Sequence, residues 1–197
     1  LSIPFVLLGT SAYQNLFWLG MFFFVARAHF KDGRVALLLF WVTALSPLML
    51  QQLVTGGDLL ANGLYVITFL WLITRVVPDA DSAPWKKVLT AILFGVALSS
   101  RANYIVLLPL VFSMLVQNAG WRTAILYSAI TCIALGVVPL PFYLYNQDGF
   151  SPLHIRNFYE SFDSVIHNVK IVLPMATGAV AVILAFQQMD RGQTALL

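Results

Sequence analysis

The stretch Ile125-Leu-Tyr-Ser-Ala-Ile130-Thr-Cys-Ile-Ala-Leu135-Gly-Val-Val-Pro-Leu140 decides the fold, and it lies in a run over 123–147 that carries no charge. A lipid-facing barrel strand would alternate apolar and polar residues in segments of about 10. Neither this stretch nor Val35–Trp41 alternates. Charge is also absent from 1–26, 35–57, 102–121 and 171–189. Such runs approach or exceed the roughly 20 residues needed to cross a bilayer. Of the 197 residues, 60% are hydrophobic and 10% charged, with a mean hydropathy of +0.85. A soluble domain is about half apolar and about a quarter charged, so a water-soluble globule is excluded. The predicted fold is all-α: a polytopic transmembrane helix bundle forming one domain over 1–197.

Punctuation places the spans. Leu1–Leu8 reads as the end of a helix whose beginning is missing, so the sequence is expected to be a fragment, and it has no signal-peptide pattern. Gly9 suits a helix stop, and Ser11 with Gln14 has capping-box spacing. Six full spans follow, over about 12–28, 35–54, 59–77, 88–117, 121–145 and 171–188. Thr55-Gly56-Gly57-Asp58 is a tight turn, and 146–170 is the longest polar segment. Lys and Arg concentrate in the 27–34 and 75–87 regions, which the positive-inside rule makes cytoplasmic. The turns at 10–14, 55–58 and 117–121 then face outside. Alternation would put 146–170 in the cytoplasm, where its charge balance gives little support.

The net charge of +3 and pI near 9.2 do not point to nucleic acid, because the basic residues sit in short loops between apolar runs. The lone Cys132 excludes an intrachain disulfide and a cysteine-based metal site, and it reads as a core thiol. No phosphate-cradling loop, zinc motif or nucleophile elbow is present. Gly95 with Ser99 is a small-xxx-small pair of the kind that packs helices closely. Trp18, Trp41, Trp71, Trp85 and Trp121 lie mostly near span ends and read as interfacial anchors.

Arg101 is the most informative residue. In an unbroken span over 88–117 it would lie 13 residues in, roughly 20 Å along a helix rising 1.5 Å per residue. Insertion there costs about 2.5–3.5 kcal/mol, so the guanidinium should face protein, water or an anion. It offers planar bidentate donors for a phosphate, with Ser99, Ser100, Asn103 and Tyr104 around it. A structural ion pair with Asp58, or snorkelling, is the alternative. Asp58 is a candidate general base or sugar-orienting carboxylate, and equally an N-cap for the span that follows. Gln51, Gln52 and Asn62 flank the same turn. In 146–170, His154, Arg156, Glu160, Asp163 and His167 interleave with Phe150, Phe158, Tyr159 and Phe162. The apolar positions there repeat at helical spacing, as in an amphipathic interfacial helix. The 13-residue separation of His154 and His167 matches no metal spacing.

Three segments carry a family resemblance. Gln51-Gln52-Leu-Val-Thr-Gly-Gly-Asp58 resembles the outer turn of bacterial membrane glycosyltransferases of the glycosyltransferase-C superfamily. Gly95-Val-Ala-Leu-Ser-Ser-Arg101-Ala-Asn103-Tyr104-Ile-Val-Leu-Leu-Pro109 is similar to a recurring segment of those enzymes. There, a Gly-x-Ala-Leu stretch leads to a basic residue and an apolar run ending in Pro. Pro141 to His154 resembles their late Pro-Phe-x-x-aromatic loop. The resemblance implies transfer of a hexose from a polyprenyl-phosphate donor to an acceptor hydroxyl on the outer face, in a bacterial inner membrane and without a cofactor or metal. It implies Arg101, Asn103 and Tyr104 as donor-phosphate ligands and Gln52, Asn62, His154 and Arg156 as further substrate-binding residues. The family's base lies in an acidic motif near the first outer loop. Here the 10–14 turn has no carboxylate, which leaves Asp58 as the substitute. Two other classes remain open: a transporter or flippase for lipid-linked or small anionic substrates, and a non-catalytic membrane scaffold.

Overall fold

Ser46-Pro47 shows how local chemistry shapes this chain. Proline lacks an amide hydrogen and is favoured at the first position of a helix. In the computed structural model, Ser46 caps the helix that Pro47 begins, its hydroxyl accepting from the Met49 amide at 3.2 Å. The structure describes residues 5, 7–10, 12–147 and 169–194. Among these it is all-helical, with no strand. It forms two compact units, Leu1–Ile73 and Thr74–Leu197.

The first unit contains α1 (Tyr13–Phe30), α2 (Gly33–Ala44), α3 (Pro47–Thr55) and most of α4 (Leu59–Val76). The Gly9 stop is present: the Thr10 amide donates to Phe5 O at 2.8 Å, the six-residue closure of a Schellman turn. The predicted capping box rests on Ser11, which lies outside the described residues; α1 follows Ala12, which makes no side-chain cap. Asp32 caps α2 by accepting from the Arg34 amide at 2.8 Å. Gly56 ends α3 at φ +69, a left-handed conformation that glycine adopts without steric cost. Both α2 and α3 pack on α1, with Phe23 and Phe40 in an edge contact at 5.7 Å.

The second unit contains α5 (Pro84–Leu98), a 3-10 helix (Ala102–Val106), α6 (Leu107–Ala119), α7 (Trp121–Val137), α8 (Leu140–Tyr145) and α9 (Val169–Thr194). Its tightest crossing is α5 on α7. A Cβ on Gly95 would meet Thr131 O, and the Ala134 Cβ at 2.8 Å, so only glycine permits the approach. The Thr131 hydroxyl lies 2.9 Å from Tyr127 O and 3.2 Å from Ala91 O, tying the two helices where they are closest. This is the close packing expected of Gly95. The α6 helix packs on α7 and α9, and the 3-10 helix touches α5, α6 and α9.

The structure corrects the six-span expectation. Among the described residues, α4 and the Trp121–Tyr145 stretch are long and apolar enough to cross a membrane, and α2 with α3 makes a third if that bent pair is one span. The pair bends by 56° because Pro47 ends one helix and begins another. The expected span 88–117 is likewise two helices, α5 and α6, parted at 99–106. A helix continued through Pro109 would lose the bond to Ile105 O and drive the proline ring against that carbonyl. The α1 helix has the length but carries Gln14, Asn15, Arg27 and His29.

The α1 helix buries two polar residues beside Trp18, Leu19, Val25 and Ala26 and leaves several apolar ones outside. Gln14 and Asn15 are buried, while Leu16, Phe17 and Phe24 are exposed. That arrangement suits lipid, where apolar surroundings carry no hydrophobic penalty and polar groups seek one another. Two sequence expectations fail. Cys132 is exposed on α7 rather than in the core. Trp18 is a core residue, 5% exposed, in edge contacts with Tyr65 and Phe69; Trp85 and Trp121 are exposed at helix starts, as anchors would be.

Candidate functional site

The start of α4 has orphan amides, as every helix start does. Two residues from elsewhere satisfy them. Gln52 Oε1 accepts from the Leu59 amide at 3.0 Å, and Asn15 Oδ1 accepts from the Ala61 amide at 3.2 Å. Asn15 Nδ2 also donates to Gly57 O at 2.9 Å, so one amide ties α1 to both sides of the 55–58 turn. The amide that an Asp58 cap would take at the third helical position is therefore bonded to Asn15. A Cβ on Gly57 would strike the Gln52 amide group, so Gly57 is the residue that admits this side chain.

Asp58 itself is half-buried, and its carbonyl accepts from the Asn62 amide at 2.9 Å. Asn62 is 2% exposed and accepts from the Tyr65 hydroxyl at 2.6 Å. It is buried in the protein interior. Gln52 and Asn62 thus sit on either side of the 55–58 turn, bonded to the Leu59 amide and the Tyr65 hydroxyl respectively. The residues that bond around this turn, Asn15 and Tyr65, were missed, as was the buried Gln14 beside Asn15. Their signal was available: Gln14, Asn15 and Trp18 fall on one face of an otherwise apolar helix, at the spacing of adjacent turns.

The second group of candidates surrounds the α5–α6 break. Arg101 has extended backbone, φ −151 and ψ 130, immediately before the 3-10 helix, and its side chain is exposed. This corrects the expectation of a position 13 residues inside a continuous helix. Asn103 is exposed and Tyr104 half-buried, and the Tyr104 amide donates to Arg101 O at 3.0 Å. Ser99 and Ser100 do not turn their hydroxyl hydrogens toward Arg101. They donate to Val96 O and Ala97 O, each at 2.8 Å. The hydroxyl hydrogens of both serines are thus committed to the end of α5.

Asp58 belongs to the first unit and Arg101 to the second. His154, Arg156 and the expected amphipathic helix lie outside the described residues. Among the described residues no group of three His, Cys, Asp or Glu is placed to hold a metal ion. In the polar loop after α4, Asp79 Oδ2 accepts from the Ser82 hydroxyl at 2.7 Å and Oδ1 from the Asp81 amide at 3.1 Å. These bonds stabilise the carboxylate and hold the Asp79 pKa below its ordinary 3.8. The chain matches no family model, no curated protein and no solved structure.

Proposed function

We propose that this chain is part of an integral membrane hexosyltransferase that takes its sugar from a polyprenyl-phosphate donor, in the bacterial inner membrane. The observation that carries the reading is Arg101, an exposed guanidinium at a break between two apolar helices, with the exposed Asn103 amide two residues on. A departing polyprenyl phosphate is anionic. Fixed bidentate donors in low-dielectric surroundings favour that charge far more than they would in water. Asp58 would take the proton of the acceptor hydroxyl, with Gln52 orienting the turn that holds it.

The test is binding of a labelled polyprenyl-phosphate hexose to the protein in proteoliposomes. Arg101→Leu should weaken it by about 10- to 150-fold, the value of about 1.5–3 kcal/mol for a hydrogen bond to a charged group. The yield of folded protein should not change. Equal binding by the wild type and the variant rejects the assignment. The two helix breaks favour a second reading, since transporters build substrate sites from discontinuous helices. In sealed vesicles, labelled lipid-linked sugar crossing the bilayer without transfer to an acceptor would select that reading.

A further inference from the structure

Among the described residues, two buried polar atoms on α1 have no hydrogen-bond partner: Gln14 Oε1 and Trp18 Nε1. Their residues are 2% and 5% exposed. One is an obligate acceptor and the other an obligate donor. They are four residues apart, which places their Cβ atoms about 5–6 Å apart on one helix face. Asn15 bonds Gly57 and Ala61, and Tyr65 bonds Asn62. Leaving a buried polar atom unbonded is costly, and here two complementary costs sit within one helical turn.

We infer that Gln14 and Trp18 form a binding site for a single hydroxyl group, which donates to Gln14 Oε1 and accepts from Trp18 Nε1. One oxygen at about 2.8–3.0 Å from each atom bridges a gap of up to roughly 6 Å. A group that both donates and accepts answers this pair of atoms, and the Trp18 ring beside it packs against Tyr65 and Phe69. An internal water and a hydroxyl of a sugar or other polyol share this chemistry. The inference does not depend on the role given to Arg101.

A double-mutant cycle tests it on the full chain. Gln14→Met keeps the length of the side chain and removes the acceptor, and Trp18→Phe removes the donor. With a bridging hydroxyl, Gln14→Met lowers the Tm by about 2–4 °C per broken bond in the wild-type background, and has little effect when combined with Trp18→Phe. Without one, Gln14→Met removes an orphan atom and raises the Tm equally in both backgrounds, which overturns the proposal. Should the Trp18 variant fail to fold, the Trp18 indole proton decides by NMR. A cross-peak to water or to a guest hydroxyl supports the site, and its absence rejects it. A methyl glucoside titration identifies the source: displacement of the water cross-peak and a higher Tm mean a polyol site, whereas an unchanged water cross-peak means an internal water.

Discussion

The α5–α7 crossing allows a quantitative prediction from one methyl group. Replacing Gly95 with Ala puts a Cβ against Thr131 O, 2.8 Å from the Ala134 Cβ and 3.2 Å from the Leu135 amide nitrogen. Two of these three obstacles are backbone atoms of α7, so no side chain can rotate away. The helices must separate, and overpacking of this sort costs about 1–3 kcal/mol, here toward the upper end. Separation also stretches the 3.2 Å contact between the Thr131 hydroxyl and Ala91 O, a bond worth about 1 kcal/mol. Alanine's better helix propensity returns about 1 kcal/mol. The net loss is about 2–3 kcal/mol, or roughly 4–12 °C in Tm at ~2–4 °C per kcal/mol for a chain of this size.

Gly20→Ala supplies the control. Gly20 lies inside α1 with nothing within 4 Å of a built Cβ. That variant should gain about 0.5–1 kcal/mol from propensity alone. Thermal unfolding in one detergent, followed by far-UV circular dichroism, reads both. If Gly95→Ala is as stable as Gly20→Ala, the helices are not in contact through Gly95 and the packing argument is wrong.

Three further outcomes follow from single contacts. Asn15→Ala removes one side chain that serves both Gly57 O and the Ala61 amide; it should destabilise by about 2–4 kcal/mol and accelerate hydrogen exchange at Ala61, which amide-resolved exchange will show. Ser46→Ala removes the cap from the Met49 amide; thermal unfolding should show a loss of about 1 kcal/mol. The depressed pKa of Asp79 means its two bonds support the 79–82 turn fully above pH 3.8 and are lost as pH falls through the lower folded value. Titration of the Asp79 carboxyl by carbon NMR should give a midpoint below 3.8, and Ser82→Ala should move it back toward that value.

Much of the fold could be read in the sequence where apolar runs are long and their ends punctuated. The α4 and α7 helices follow from uninterrupted composition, and the stop at Gly9 and the turn at 55–58 from residues with one dominant local use. The breaks were harder because composition cannot register them. Residues 35–54 and 88–117 remain apolar throughout, so a window sees two spans, although Ser46-Pro47 and Pro109 were the local signals of interruption. Trp18 was misread for a related reason. Tryptophan suits both an interface and a core, and only the polar neighbours Gln14 and Asn15 on its face show that α1 turns this side inward. The candidate site was legible as residue types, but the bonds that Gln52 makes to the Leu59 amide and Asn62 to the Tyr65 hydroxyl were not, because they depend on the path of the turn and the helix face.

The serines near Arg101 show how structure and function divide at a helix break. Where an apolar helix stops, the carbonyls of its last turn lose their partners, and in hydrocarbon no water replaces them. At the end of α5, the Ser99 amide takes Gly95 O, the Ser99 hydroxyl takes Val96 O, and the Ser100 amide and hydroxyl both take Ala97 O. The α2–α3 bend uses the same device, with Thr43 donating to Leu39 O and Ser46 to Thr43 O. A hydroxyl has one hydrogen to donate, so a serine closing a helix end cannot also donate to a phosphate. Ser99 and Ser100 therefore make the break tolerable, and the extended backbone that follows lifts Arg101 out of the helix. On the proposed reading, the serines would act on an anion at this break only by holding the break open.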